Sequence, residues 1–533
     1  MTNRIYKRGE SREQLSLLPP RIEDYVGADN LVRAIEGFVA ALDLGKLRFR
    51  HAERGIGVGQ PPYDPADLLK LYIYGYLNQV RSTRRLAQEA RRNLELIWLL
   101  KGLRPSYRVI GDFRKENWAA LKAANRNFVL LARELELVGG TLVAIDGAFF
   151  DGNASKGSIK TRKKLAEQIE ALDRDIEAYG AALEANDAAE AEGPDAGDDH
   201  GRGGGDLAQR VAALMAKRSQ KQADLERLEE SGETQLSRTD ADARLLSKSG
   251  QRVAGYNVQI AVDDKHKLIV ESEVVNDGND AGQLHRMASA AKQTLKSETL
   301  QAVADSGYYN GSELRACEAD GIVAYVPEPE RHSRLAAQGR FMHEEFAYDA
   351  AADSYCCPAG ELLKRTNKPK QNGDRFEVRY VSRKAVCDAC SLRSRCVTDK
   401  QPIREVRRWE HEDVLERHRV RMKDADAMLR RRSALAEHPF GTLKCRAGYR
   451  HFLVRGFDKV RGEWSLMALC YNLTRVLSIL GFERFMALVA KAHACRWCLL
   501  SALSRATWAV IRFDLVRSDV QIAPNPMSCY PAR

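Results

Sequence analysis

The sequence predicts a multidomain chain of the α+β or α/β class, and three observations carry that expectation. At 533 residues the chain is longer than one ordinary hydrophobic core organises, so three or four domains are expected. Between residues 141 and 329, apolar runs of strand length alternate with runs of helical spacing, the order of a mixed sheet. Ahead of them, residues 64–117 repeat apolar side chains every three or four positions, as helices do.

Apolar residues make up 44% of the chain, enough to fill several cores. The formal charge is +11, from 84 Lys and Arg against 73 Asp and Glu. That excess favours a polyanionic partner, because cationic side chains release counterions from phosphates. The plain alternative is a chain that is merely basic. The opening MTNRIYKRGESREQLSLLPP lacks a signal-type apolar centre, and no uncharged apolar span reaches the roughly 18–20 residues of a membrane helix. A cytoplasmic, nucleoid-associated protein is expected, with no membrane partner. In that compartment the 11 cysteines read as metal ligands or core.

Residues 1–135 read as a helical, DNA-binding N-terminal domain. Its first helix is expected around Asn30–Leu44, and GIGVG at 55–59 reads as a turn, since no Lys-Ser/Thr follows it. DPADLLKLYIYGYLNQV opens with an Asp cap and a first-turn Pro. The following short helices carry Arg81, Arg84, Arg85, Arg91 and Arg92 and resemble a helix-turn-helix unit with arginines toward phosphates. A solvated polar face is the competing reading.

Residues 136–160 and 235–330 read as the sheet domain. Its strands are 141–150, the hairpin 255–264 and 267–276, the run from 300, and 321–329, with a helix after the hairpin. Two insertions interrupt it. In 161–234, Leu165, Ile169, Leu172, Ile176, Tyr179 and Leu183 repeat as a heptad arm. An acidic, glycine-rich break at 189–206 follows, and Leu207, Val211, Leu214, Leu225 and Leu228 resume the register as a second arm. Arg218 and Lys221 take the intervening positions, and the whole predicts an antiparallel coiled-coil hairpin. Residues 331–410 are Cys-rich: Cys387 and Cys390 in C-x₂-C spacing, with Cys396 and Cys357, supply four thiolates for a structural Zn²⁺. Cys356 competes with Cys357, and free thiols are the alternative. Residues 411–485 complete the sheet domain, and 486–533 form a tail whose C-x₂-C pair at 495–498 reads as core.

Three acids stand out. Asp146 is expected to end the first strand and Asp305 a later one, both central because both strands are apolar. Glu437 comes from an Arg- and Ala-rich helix that Pro439 should end soon afterwards. Three packed carboxylates repel one another unless divalent cations compensate them, and oxygen ligands suit Mg²⁺. Two such ions activate an attacking oxygen and stabilise a leaving one in phosphodiester cleavage. Taken singly, each acid reads first as a cap or an arginine partner; taken together, in a basic chain with this strand order, they read as a metal site.

The segments AIDGAFFDGNAS, TDADARLLSKSG with GYNVQIAVD, VADSGYYNG, CPAG with CDACSLRSRC, and AEHPFGTLK with RGFDKVRGE and YNL resemble those of DDE transposases of bacterial insertion sequences. The helical stretch from PPYDPADLL to DFRKEN resembles the N-terminal domain of the same proteins, and together the segments cover most of residues 50–480 in order. The resemblance implies a ribonuclease-H-like catalytic domain in which Asp146, Asp305 and Glu437 bind Mg²⁺ or Mn²⁺. It implies cleavage at transposon ends, strand transfer into double-stranded target DNA, and a homodimer to pair two ends. Of the family's Tyr-Arg-Glu-Lys pattern, Glu437 and Lys444 keep their spacing, which gives Lys444 a DNA phosphate. No Tyr precedes them, and Arg432 stands one step from the expected Arg. A stand-alone nuclease and a DNA-binding protein without catalysis are the alternatives.

Overall fold

The computed structural model describes residues 21–53, 61–191, 201–248, 250–329, 339–366, 369–372, 375–398 and 401–491. The opening 20 residues, the glycine-rich turn at 55–59 and the cysteine pair at 495–498 lie outside the described residues. The chain forms two compact units, Met1–Ala124 with Leu473–Arg533, and Asn125–Asn472.

The first unit is helical. It holds α1 (Leu31–Ala41), α2 (Pro65–Leu77), α3 (Thr83–Arg92), α4 (Leu94–Leu99), α5 (Tyr107–Glu116) and the start of α6 (Trp118–Glu134). Short polar side chains set the starts. Asn30 accepts from the Val32 amide at 3.0 Å, Asp64 from Ala66 at 2.8 Å, and Asn93 from Glu95 at 3.0 Å. Pro65 occupies the first turn of α2, where its missing N–H costs nothing. Helix α2 is buried from Asp67 to Tyr76 and forms the unit's centre. Its one buried cation, Lys70, pairs with Glu36 at 2.8 Å and Asp67 at 3.1 Å. Later residues belong here too: Met486 and Val489 pack where a side chain on Gly37 of α1 would stand. Phe485 and Val489 are buried.

The second unit is built on a mixed sheet. In chain order come β1 (Leu142–Asp151), β2 (Ile159–Thr161), α7 (Arg162–Ala191), α8 (Gly201–Ser231), β3 (Gln235–Ser237), β4 (Arg244–Lys248), β5 (Gln251–Asp263) and β6 (Ile269–Val275). Next are α9 (Leu284–Leu295), β7 (Leu300–Val303), α10 (Gly311–Ala319) and β8 (Ile322–Tyr325). Strand β1 pairs antiparallel with β5 and parallel with β7, which pairs parallel with β8. Successive stretches of β5 carry β4 and β6 along them.

Asp146 does not end its strand. It sits inside β1 opposite Ile260, and pairing continues to Asp151 opposite Gly255, because the long β5 keeps offering antiparallel partners. Asp305 lies two residues past the end of β7, where it caps a short helical turn.

The first insertion is two long helices, α7 and α8, packed along each other over a β2–β3 ladder. Leu165, Ile169 and Leu228 are buried between them, and Arg218 pairs with Asp173 across the seam. Helix extends to Ala191 and is described again from Gly201, both within the 189–206 span read as a break, whose residues 192–200 lie outside the described residues. The second insertion is an antiparallel sheet of β9 (Ala347–Asp349), β10 (Ser354–Cys356), β11 (Leu362–Arg365), β12 (Lys370–Asn372), β13 (Arg375–Val381) and β14 (Glu405–Trp409). Phe341, Phe346, Tyr355, Leu363, Tyr380 and Val406 form its core.

Three helices close the unit: α11 (Glu412–Met422), α12 (Asp426–Gly441) and α13 (Phe457–Leu480). Leu435 and Ala436 of α12 pack on Leu142, Ala144 and Val303, which lays the helix across β1 and β7. Pro439 does not end α12. It is tolerated inside, and a wider π-helical turn, Thr442–Arg446, continues from it. Asn472 of α13 bonds both the N–H and the C=O of Ile269 at 2.9 Å, an amide standing in for a neighbouring strand.

Candidate active site

Two apolar strands, one inserted helix and one capped turn bring charged groups together. Asp146 projects from β1 and Asp305 from the turn after β7, its parallel neighbour. Each carboxylate is fixed by a nearby amide: Gly147 N–H donates to Asp146 Oδ1, and Gly307 N–H to Asp305 Oδ1, both at 2.9 Å. Nη2 of Arg432, from α12, donates to Asp146 at 3.2 Å and to Asp305 at 3.4 Å. All three side chains are largely buried, at 14%, 29% and 18% exposure. The Nε of Arg432 is buried without a hydrogen-bond partner.

Glu437 stands on the same helix but is exposed, and its carboxylate accepts from Ser433 one turn earlier at 3.0 Å. The structure thus joins Asp146 to Asp305 through Arg432 and leaves Glu437 with its own helix. Among the described residues no three carboxylate, histidine or cysteine side chains are gathered so as to hold a metal ion. Like charges repel at short range, and one guanidinium compensates two carboxylates better than three. The donor set is nevertheless that of a hard divalent cation: oxygen anions converging on one cationic group.

Lys444, in the wide turn after α12, reaches β1. Its ammonium donates to Phe149 C=O at 2.7 Å and lies 4.5 Å from the Phe150 ring centre. Burial lowers its pKa, opposed chiefly by Asp146 and then Asp151.

Behind the aspartates lies a polar network. Asn257 and Gln259 alternate on β5 and are fully buried, as is Asp280 from the loop before α9. Gln259 donates to Asp280 Oδ1 at 2.7 Å and Asn257 to the same oxygen at 2.9 Å. Tyr308 donates to the Gln259 carbonyl oxygen. Burial raises the Tyr308 pKa well above the ordinary range, with Asp280, Asp146 and Asp305 adding to it. Sequence reading missed this network, although two polar residues at i and i+2 in the apolar run GYNVQIAVD were its signal.

In the helical unit, α3 turns Leu86, Ala87 and Ala90 inward and leaves Arg84, Arg85, Arg91 and Arg92 exposed. Arg84 lies over the Tyr107 ring at 5.5 Å, Arg108 lies over it at 5.9 Å, and Arg92 pairs with Glu89. Arg81 is half-buried in the turn before α3.

Cys357, Cys387, Cys390 and Cys396 line one cavity of about 30 Å³ inside the second insertion. None of the four forms a disulfide. Burial raises the Cys396 thiol pKa; Arg404 opposes this, and Cys387, Cys357 and Cys390 add to it. The Cys356 thiol instead donates to the Cys357 carbonyl at 3.6 Å. Four soft sulfur donors around one small space are the chemistry of a structural Zn²⁺, although they are not drawn in as a ligand set.

The class of protein follows from two family comparisons. The Transposase DDE domain matches residues 356–477, a stretch that includes Glu437, Lys444 and the four cysteines. A transposase domain, DUF772, matches residues 20–116, the span of α1 to α5. Both matches are to transposase domains, and together they indicate a member of the DDE transposases of insertion sequences. Transposases act on DNA, and a DDE domain implies use of a divalent metal. No curated protein and no solved structure matched the chain. Among the described residues no helix is long and apolar enough to cross a membrane.

Proposed function

We propose that the mixed sheet is a ribonuclease-H-like catalytic core that cuts DNA at the ends of its element and joins them to target DNA. The observation that carries this reading is the convergence of Asp146 and Asp305, from neighbouring strands, on one cationic group of the helix that bears Glu437. In this reading Asp146, Asp305 and Glu437 hold Mg²⁺ or Mn²⁺. When bound, the cation lowers the pKa of the attacking oxygen's proton and stabilises charge on the leaving oxygen.

The chain's own residues do the rest. Gly147 and Gly307 amides keep the two carboxylates aimed before DNA arrives, which cuts reorganisation at the moment of reaction. Arg432, with its unpartnered Nε, turns to a DNA phosphate once its carboxylates are otherwise compensated. Arg84, Arg85, Arg91 and Arg92, with Arg81 beside them, bind phosphates of the double-stranded end. Water breaks a phosphodiester to leave a 3′-hydroxyl and a 5′-phosphate. That hydroxyl then displaces a 3′-oxygen in target DNA, so one bond forms for each broken. Two ends are processed together by a homodimer, and the four cysteines hold a structural Zn²⁺.

The test is one incubation of purified protein with Mg²⁺, a labelled element end and a plasmid. Joined products are expected. Cleavage without joining would leave a stand-alone nuclease, and a gel shift with neither would leave a DNA-binding protein.

A further inference from the structure

Gly147 and Gly307 share a neighbour. A Cβ on Gly147 would stand 2.8 Å from Asp280 Oδ1, and one on Gly307 would stand 3.7 Å from Asp280 Oδ2. The Asp280 carboxylate therefore lies between the residue after Asp146 and the second residue after Asp305. These are the same two residues whose amides fix the aspartates. Asp280 is only 4% exposed. Its loop is tied down as well, since Gln283 N–H donates to Asp280 C=O at 3.1 Å and Asn257 reaches Asp277 C=O at 3.2 Å.

The hydrogens in the network run one way. Tyr308 donates to Gln259 Oε1, which commits the Gln259 amide nitrogen to Asn257 Oδ1 at 3.1 Å and to Asp280. Asn257 then spends its own nitrogen on Asp280. Two donors on one oxygen favour the ionised form of a buried carboxylate. Three anions thus stand close together, with Arg432 and Lys444 as the nearby cations. Such an arrangement raises affinity for a further cation without all three acids touching it.

We propose that Asp280 is a positioning residue of the metal site: an ionised, non-ligating carboxylate that holds Gly147 and Gly307 in place and sets how tightly Asp146 and Asp305 bind a divalent cation. The inference rests on the metal-binding reading above. Asp280→Asn is the informative variant, because its remaining carbonyl oxygen accepts both hydrogen bonds while the charge is gone.

Mn²⁺ is titrated into full-length wild type, D280N and D146N, with free Mn²⁺ read by electron paramagnetic resonance and folding by thermal melting. D280N is expected to bind about ten- to a hundredfold more weakly, the range for groups behind metal ligands. It should melt within a few degrees of wild type and regain most of its cleavage rate at saturating Mn²⁺. Wild-type affinity in D280N overturns the inference, as does lost cleavage that saturation fails to restore. If D280N does not fold, Asn257→Ser withdraws one donor and keeps the charge. A shift of about two- to fivefold in half-saturating Mn²⁺ is then expected, and no shift overturns the inference. D146N separates the two readings. If it binds Mn²⁺ like wild type, the metal assignment itself fails, whereas loss in D146N alone removes only the role of Asp280.

Discussion

Asp146 and Asp305 accept hydrogen bonds from the same nitrogen, Nη2 of Arg432, at 3.2 and 3.4 Å. One sits inside a strand and the other on a turn beyond its neighbour, so the sheet and α12 together define their meeting point. Asp305→Asn keeps the shape of that point and removes half of its negative charge. Cleavage should fall about a thousandfold, the equivalent of several kcal/mol of charge stabilisation. Binding of the element end, measured by gel shift, should change less than about threefold by the same charge argument, since α3 is untouched. Near-normal cleavage would remove Asp305 from the site.

The same geometry makes Arg432 structural as well as functional. Arg432→Gln leaves two carboxylates facing each other without their cation. Because the groups are partly exposed, the cost is set at about 1–2 kcal/mol, below that of a fully buried pair. Melting in a chelator should show the variant a few degrees below wild type, and millimolar Mg²⁺ should narrow the gap. A gap that ignores Mg²⁺ would mean that the two aspartates do not bind it.

The sequence signals of the candidate site are local. The apolar run that holds Asp146, the apolar strand before Asp305, and the Arg-rich helix before Glu437 each show in a few residues. What was not legible depended on pairing. Asp146 lies mid-strand, as the strand read over 141–150 allows, but its partner β5, which extends past it, is recorded by no residue near 146. The strands of the Cys-rich sheet run only three to seven residues, too short for alternation to stand out. Pro439 signalled a helix end, yet packing of Leu435, Ala436 and Phe440 holds α12 together through it. Arg432 shares a helix face with Leu435, Ala436 and Pro439 by spacing, so its inward direction was readable, but its two partners were not.

Arg84 and Arg85 are exposed on α3 while that helix buries its opposite side. Replacing both with Ala should weaken end binding and reduce the slope of log affinity against log salt by about two, roughly one for each phosphate no longer neutralised. An unchanged slope would assign these arginines to solvent.

Four thiols around a cavity of about 30 Å³ give a prediction independent of DNA. Protein purified without chelator should carry about one zinc per chain by elemental analysis, and Cys387→Ser with Cys390→Ser should abolish it. Cys356→Ser should keep the metal, because that thiol is turned to a backbone carbonyl. Zinc-free wild-type protein of normal stability would reduce the four cysteines to packing residues.

His418 of α11 gives a pH dependence of known sign. One ring nitrogen, Nε2, lies 2.8 Å from Val326 C=O, and the other, Nδ1, is buried without a partner. The carbonyl makes Nε2 the protonated nitrogen of a neutral ring. Burial lowers the pKa below its ordinary 6.5, with the Val326 carbonyl opposing. The unfolded chain therefore takes up a proton near that ordinary value while the folded chain does not. Stability from this group is complete above about 6.5 and falls as pH drops below it, by up to about 1.4 kcal/mol per pH unit until the folded ring also titrates. Urea unfolding at about pH 7 and about pH 5.5, on either side of that value, measures the loss. His418→Gln places a neutral donor near Val326, so its own unfolding free energy should be lower at neutral pH but should decline less between the two conditions. Equal declines in the two proteins would show that the His418 ring takes up its proton alike in the folded and unfolded chains, so that burial does not hold it neutral.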